Sequence, residues 1–325
     1  MKKLLKILGI ILFSIVFIIV IIIAYIKIAL PDVGSAPDLT VDKSPAKVER
    51  GRYLANCVMS CMDCHSKRDV TEYSMPMVLS TKGQGGERFD QTEGFPGTFY
   101  SANITPSGIG AWTDGDIYRA ITTGVRKNGK PIFPVMPYHS YGFANPEDVK
   151  SVIAYIRSLQ PIANVVPESA ADFPMSVILN TIPKKAAPMS LPASGDSLTN
   201  GKYLFTIAAC HDCHTPFEKG KFDETLALAG GRVFPTPGGM VTSANITPDT
   251  ETGIGAWTRE FFVQHFTMYR DSATAHQTVN PGAVQTMMPW TLYCNMTDAD
   301  LSNIYSYIQT LRPIKHTVTK WRAGH

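Results

Sequence analysis

The chain has 325 residues, enough for about two domains that each bury a core. Its 30 Lys and Arg against 27 Asp and Glu give a formal charge of +3, but four of the lysines fall in the first thirty residues, which contain no acid, so the remainder stands at −1. A body this close to neutral offers no electrostatic footprint for nucleic acid and excludes that partner.

From Ile7 to Ile26 the sequence ILGIILFSIVFIIVIIIAYI carries no charge and has the length of a bilayer-spanning helix. A cleaved signal would have an apolar region of about 7–15 residues and a small-residue cleavage site, and neither is present. Lys2, Lys3 and Lys6 precede the run, so the positive-inside tendency leaves the N-terminus in the cytoplasm. Residues 1–30 therefore read as a single-pass inner-membrane anchor and 31–47 as a linker, with everything after them on the periplasmic side.

Beyond the linker the same phrases occur twice in the same order. RGRYLANCVMSCMDCH is answered by NGKYLFTIAACHDCH, SANITPSGIGAWT by SANITPDTETGIGAWT, and VMPYHSYGFANPEDVKSVIAYIRSLQPI by MMPWTLYCNMTDADLSNIYSYIQTLRPI. So long a period, complete in each copy, predicts two tandem domains, at 48–163 and 197–316. A proline-rich linker at 164–196 joins them and 317–325 is a tail. Each copy is expected to be helical at both ends with irregular chain between, an all-α class overall. Asn145 and Pro146 open the first closing helix, whose inward face is Val149, Val152, Ile153, Ile156 and Leu159. Thr297 and Asp300 open the second, whose face is Leu301, Ile304, Tyr305, Ile308 and Leu311, and the two helices are expected to run to Pro161 and Pro313. Gly51 with Tyr155, and Gly201 with Tyr307, suit close crossings of the opening and closing helices.

Cys61-Met62-Asp63-Cys64-His65 and Cys210-His211-Asp212-Cys213-His214 both spell CxxCH. Two thiols on one helical turn can add to the two vinyl groups of one porphyrin, and the histidine then projects beneath the ring to the iron. The motif predicts two covalent haem c groups, on Cys61 and Cys64 and on Cys210 and Cys213, with His65 and His214 as proximal ligands. A shared zinc site ignores the completeness of each copy, and a thioredoxin-like dithiol lacks its βαβ setting.

A low-spin carrier takes a sixth ligand, and methionine raises its potential. Met136 and Met288, 71 and 74 residues beyond their histidines and each followed by Pro and an aromatic, are the candidates. Met287 is a rival to Met288. His139 and His276 have no counterpart in the other copy, and neither do Arg119 and Arg126 as propionate partners, so these four are set aside. Trp112 and Trp257 are candidates to donate indole N–H groups to propionates, with ring-edge packing as the alternative.

With these phrases together, each copy resembles a class I cytochrome c domain. The whole resembles the multi-haem cytochrome c subunits of membrane-bound periplasmic dehydrogenases, such as the alcohol dehydrogenase cytochrome subunit. The resemblance implies all-α haem domains, His/Met ligation, and electron transfer between a dehydrogenase catalytic subunit or quinol-oxidising partner and the respiratory chain, through other redox carriers or a terminal oxidase. Such subunits commonly carry three haems, where this chain has two motifs. A di-haem enzyme of the thiosulfate dehydrogenase or cytochrome c peroxidase type is the competing expectation, and the methionine in both copies counts against it. Cys57 and Cys294 have no repeat partners, and an interdomain disulfide or two small buried hydrophobes are the readings open to them.

Overall fold

Lys2–Ala29 forms one continuous helix with none of its residues buried, in a computed structural model that describes residues 1–324. By length and composition it can cross a membrane. Lys27 Nζ, in its last turn, donates to Ser176 O at 2.6 Å.

The first copy opens with Pro45–Tyr53 and closes with Pro146–Arg157, and the second opens with Ser197–Ile207 and closes with Asp298–Ile308. The closing helices start where their caps lie. The Asn145 side chain accepts from Glu147 N and Thr297 Oγ1 accepts from Asp300 N, each satisfying one of the donors a helix start leaves free. They end before the expected prolines, because the last turn tightens into i→i+3 bonds such as Leu159 N to Ile156 O and Leu311 N to Ile308 O. Val149, Val152, Ile153 and Ile156 are buried, as are Leu301, Ile304 and Ile308, while Leu159, Tyr305 and Leu311 are partly buried against them.

In each copy the opening helix crosses the closing one at its glycine. A Cβ on Gly51 would stand 1.8 Å from Ser151 O and 2.9 Å from the Tyr155 Cβ, and one on Gly201 would stand 1.9 Å from Asn303 O and 3.0 Å from the Tyr307 Cβ. The missing side chain is what allows two backbones to touch there.

The all-α expectation is too simple. Between the helices lie three small antiparallel sheets. Arg88–Phe89 pairs with Gly97–Tyr100, which also pairs with Ala170–Ala171 of the linker. Phe217–Glu218 pairs with Lys221–Phe222, and the Val233–Thr236 and Gly239–Thr242 hairpin is extended by Trp321–Ala323. Strands of two to four residues bury too little of one face to leave an alternating pattern, and Ala170–Ala171 and Trp321–Ala323 pair with partners distant in sequence. The linker also departs from a plain extended crossing, since Met175–Ile178 forms a helical turn beside the end of the first helix.

The copies are joined by reciprocal hydrogen bonds. Tyr53 Oη donates to Asp300 Oδ2 at 2.5 Å and accepts from Thr297 N, while Tyr203 Oη donates to Asp148 Oδ2 at 2.7 Å and accepts from Asn145 N. Each opening-helix tyrosine thus completes the start of the other copy's closing helix. Burial and the adjacent carboxylate raise the pKa of both phenols, which therefore stay protonated donors.

Candidate haem sites

The opening helices deliver the CxxCH turns. The first copy has one more residue between its glycine and its first motif cysteine than the second, 10 positions against 9. The excess is taken up in a π-helical turn at Leu54–Val58, with Met59 N bonded to Leu54 O at 2.7 Å. Both chains then turn sharply through a left-handed residue, Ser60 at φ 49° or Ala209 at φ 56°, into Cys61–Cys64 and Cys210–His214. A tyrosine closes each turn: Tyr141 Oη donates to Met59 O and Tyr293 Oη to Ala208 O.

The two histidines are held alike. His65 Nδ1 lies 2.7 Å from Ala102 O, and His214 Nδ1 lies 2.7 Å from Ala244 O. A carbonyl only accepts, so Nδ1 carries the proton and Nε2 keeps its lone pair for a metal. Burial lowers both pKa values, against the opposing pull of the carbonyl, which keeps the rings neutral as ligands must be.

These carbonyls come from the repeated SANITP phrase, whose role was not legible until folded. Asn103 Oδ1 accepts from Thr105 N and Oγ1 while its Nδ2 donates to Ile162 O; Asn245 does the same with Thr247 and Ile314 O. The phrase is a clip that fastens the end of the closing helix and aims the alanine carbonyl at the imidazole. Its verbatim recurrence was the available signal.

In the first copy Cys61, Cys64, His65, Met136 and Trp112 line one cavity, with Phe89, Phe99, Ile104, Ile117 and Ile121 as its apolar walls. Arg126 lines it as well, the one guanidinium there with no carboxylate among the lining residues, and burial lowers its pKa. A guanidinium at an apolar slot that ends in two thiols and an imidazole fits a flat macrocycle with acidic arms. Arg126, set aside because its repeat position is not arginine, is thus brought to the cavity by the fold. Arg119 does not line the cavity; it donates to Arg126 O and Lys127 O.

In the second copy, counting from the shared Trp, His265 takes the place of Ala120, while Phe262 and Phe266 replace Ile117 and Ile121. Trp257 packs edge-on against Phe261 and His265, and His265 and Phe266 pack on Trp290. This wall is aromatic where the first is aliphatic. His265 escaped notice in the sequence because its copy-one equivalent is inert. The backbone of Met288, not that of Met287, is gripped: its carbonyl accepts from Ser74 Oγ and its N–H donates to Thr286 Oγ1.

Neither His139 nor His276 lines the first cavity. His139 is exposed beside the Tyr138 ring, and His276 Nδ1 pairs with Glu72 Oε2 at 2.6 Å. Burial pushes the Cys61, Cys64 and Cys210 thiols up to about 12, the reverse of a reactive dithiol or a zinc thiolate. Cys57 and Cys294 are buried free thiols, with Cys294 Sγ donating to Thr291 O.

A model of the family described as Cytochrome c matches residues 198–312. The chain is 34% identical over 223 residues to a protein named Diheme cytochrome c-type from Cereibacter sphaeroides, covering 66% of this chain and 72% of that one. It is 27% identical over 298 residues to the cytochrome c subunit of alcohol dehydrogenase (quinone) from Komagataeibacter europaeus, and 29% over 282 residues to the gluconate 2-dehydrogenase cytochrome c subunit of Pantoea cypripedii. Those alignments take in 86% and 82% of this chain but only 59% and 60% of the relatives' own lengths. With paired CxxCH turns, carbonyl-held imidazoles and these relatives, the chain belongs to the c-type cytochromes.

Proposed function

We propose that the protein is a membrane-anchored di-haem electron carrier made of two tandem cytochrome c domains, at 48–163 and 197–316. It would pass electrons between a dehydrogenase or quinol-oxidising partner and the respiratory chain. The observation that carries this reading is the duplicated CxxCH turn whose histidine is presented, in both copies, with Nδ1 bonded to an alanine carbonyl 2.7 Å away. In this reading Cys61 and Cys64 hold one haem and Cys210 and Cys213 the other, with His65 and Met136, and His214 and Met288, as axial ligands. A haem held so supplies a reversible single-electron couple. The chain's own residues fix the imidazole tautomer and would surround the first ring with apolar walls, and Arg126 and Trp112, which line the same cavity, would be the groups to meet its propionates. The anchor reading rests on the first helix, and the dehydrogenase partner on what the relatives are named for.

The test is a haem count on the full-length, detergent-solubilised protein. Two covalent haems per chain are expected, one lost in Cys61→Ser/Cys64→Ser and the other in Cys210→Ser/Cys213→Ser. Both haems should be low-spin, with a methionine-to-iron charge-transfer band and no reaction with peroxide. One haem per chain, haem extractable by acid acetone, or a high-spin iron that consumes peroxide would overturn the reading.

A further inference from the structure

Among the described residues, one of the two methionine loops is held at its backbone by the other copy as well as by its own. Around Met136 the supporting bonds are local: Met136 N to Phe133 O, Tyr138 N to Met136 O, and Ile132 N to Gly124 O. Around Met288 the local bonds, Met288 N to Thr286 Oγ1 and Trp290 N to Met288 O, are joined by bonds from the other copy. The segment from Asp69 to Met77, just after the first CxxCH turn, crosses to the second copy, where Tyr73 N donates to Gln277 O and Val279 N donates to Thr71 O. At its tip Ser74 Oγ donates to Met288 O at 2.7 Å and accepts from Trp290 N at 3.0 Å. It thereby spans the residues on either side of Pro289.

Gln285 locks the serine in place. Its Oε1 accepts from Ser74 N and Thr286 N, and its Nε2 donates to Glu72 O at 2.9 Å. Ser74 is 4% exposed and Gln285 2%, so no water competes for these bonds. Ser74 and Met75 sit at φ 67° and 47°, left-handed conformations that L-residues adopt only where their surroundings enforce them. Behind the tip the Tyr73 ring stacks on Tyr269, and Tyr269 stacks on Trp290.

We propose that Ser74 and Gln285 are positioning residues for the second haem's methionine: the first copy clamps the Met288 loop and so governs how readily that thioether leaves the iron. This rests on the reading of Met288 as an axial ligand. An iron–thioether bond is replaced by an external ligand only when the loop swings away, so each bond tying the loop to the other copy lowers the population of the open state. The consequence is an iron whose ligation depends on the docking of the copy that does not carry it, while the first haem has no such dependence.

The experiment titrates the full-length ferric holoprotein with cyanide and measures both reduction potentials. Ser74→Gly is the leading variant, since glycine accepts the positive φ and lacks the hydroxyl; Ser74→Ala, which loses only the hydroxyl, and Gln285→Ala accompany it. Met136→Ala and Met288→Ala assign the signals. Loss of the two bonds made by the buried hydroxyl should raise the cyanide affinity of one haem about tenfold or more. It should be the haem whose charge-transfer band Met288→Ala removes, its potential should fall, and the other haem should be unchanged. Unchanged affinity and potential in all three clamp variants would overturn the proposal, and so would equal shifts at both haems, which mean general loosening. If Met288→Ala left the whole band in place, the ligand assignment itself would fail and the clamp with it, a result distinct from the other two.

Discussion

Gly201→Ala tests the crossing on which the second haem-attachment turn depends. The added methyl would lie 1.9 Å from Asn303 O, against about 3.4 Å for an ordinary contact, so the two helices must part by about 1.5 Å. The obstacle is main chain, with no rotamer to yield, and the Tyr307 Cβ blocks the other side at 3.0 Å. The cost should sit at the upper end of overpacking, about 3 kcal/mol. For a unit of this size that lowers the melting temperature by roughly 10 °C. The assay is thermal unfolding of the holoprotein by far-ultraviolet circular dichroism and the Soret band, with exposed Lys202→Ala as the control, expected within about 0.5 kcal/mol of wild type. Because the same helix runs into Cys210, the second haem's charge-transfer band should weaken before the first's. A melting temperature within about 2 °C of wild type would refute the reasoning, since it would mean the helices separate freely and the glycine is incidental.

Tyr203→Phe removes a donor from Asp148, whose side chain is 5% exposed, and should cost about 1–3 kcal/mol by urea unfolding; Tyr53→Phe, facing the more accessible Asp300, should cost less. Arg126→Gln should lower the first haem's potential by tens of millivolts in a redox titration, because a cation favours the reduced, less positive iron, and should leave the second unchanged. Glu147, between Lys150 and Lys47, has its pKa drawn down to about 2. A carboxylate depressed on folding adds stability above its unfolded value, lost as pH falls from about 4.5 towards 2. Glu147→Gln should therefore unfold more easily than wild type at pH 7 and match it at pH 2 in denaturant titrations.

What the sequence made legible followed from repetition and local rules. The CxxCH turns, the Asn145 and Thr297 caps and the buried faces of the closing helices use residues close together in the chain, and these, like the long-range glycine crossings, each appear twice. What it concealed lies where the copies differ or where distant segments meet. Arg126 was discounted for having no twin, although a buried cation needs an anion whether or not the other copy supplies one. His265 replaces an alanine and leaves no motif. The strand of Ala170–Ala171 and the crossing of Asp69–Met77 are long-range pairings between segments without periodicity, and the π-turn at Leu54–Val58 shows in sequence only as a one-residue mismatch.

The reciprocal tyrosines carry a consequence of their own. Tyr53 gives to Asp300 what Tyr203 gives to Asp148, and equivalent surfaces that serve each other in this way are the mark of a two-fold homodimer. In these bonds the two repeat copies, joined by the proline-rich segment, meet as the subunits of such a dimer would. A dimer of identical chains must repeat every change in both subunits and dissociates on dilution; a fused one does neither. Fusion is what permits a π-turn and a crossing loop in one half alone, so that two CxxCH turns of one architecture come to stand in different surroundings.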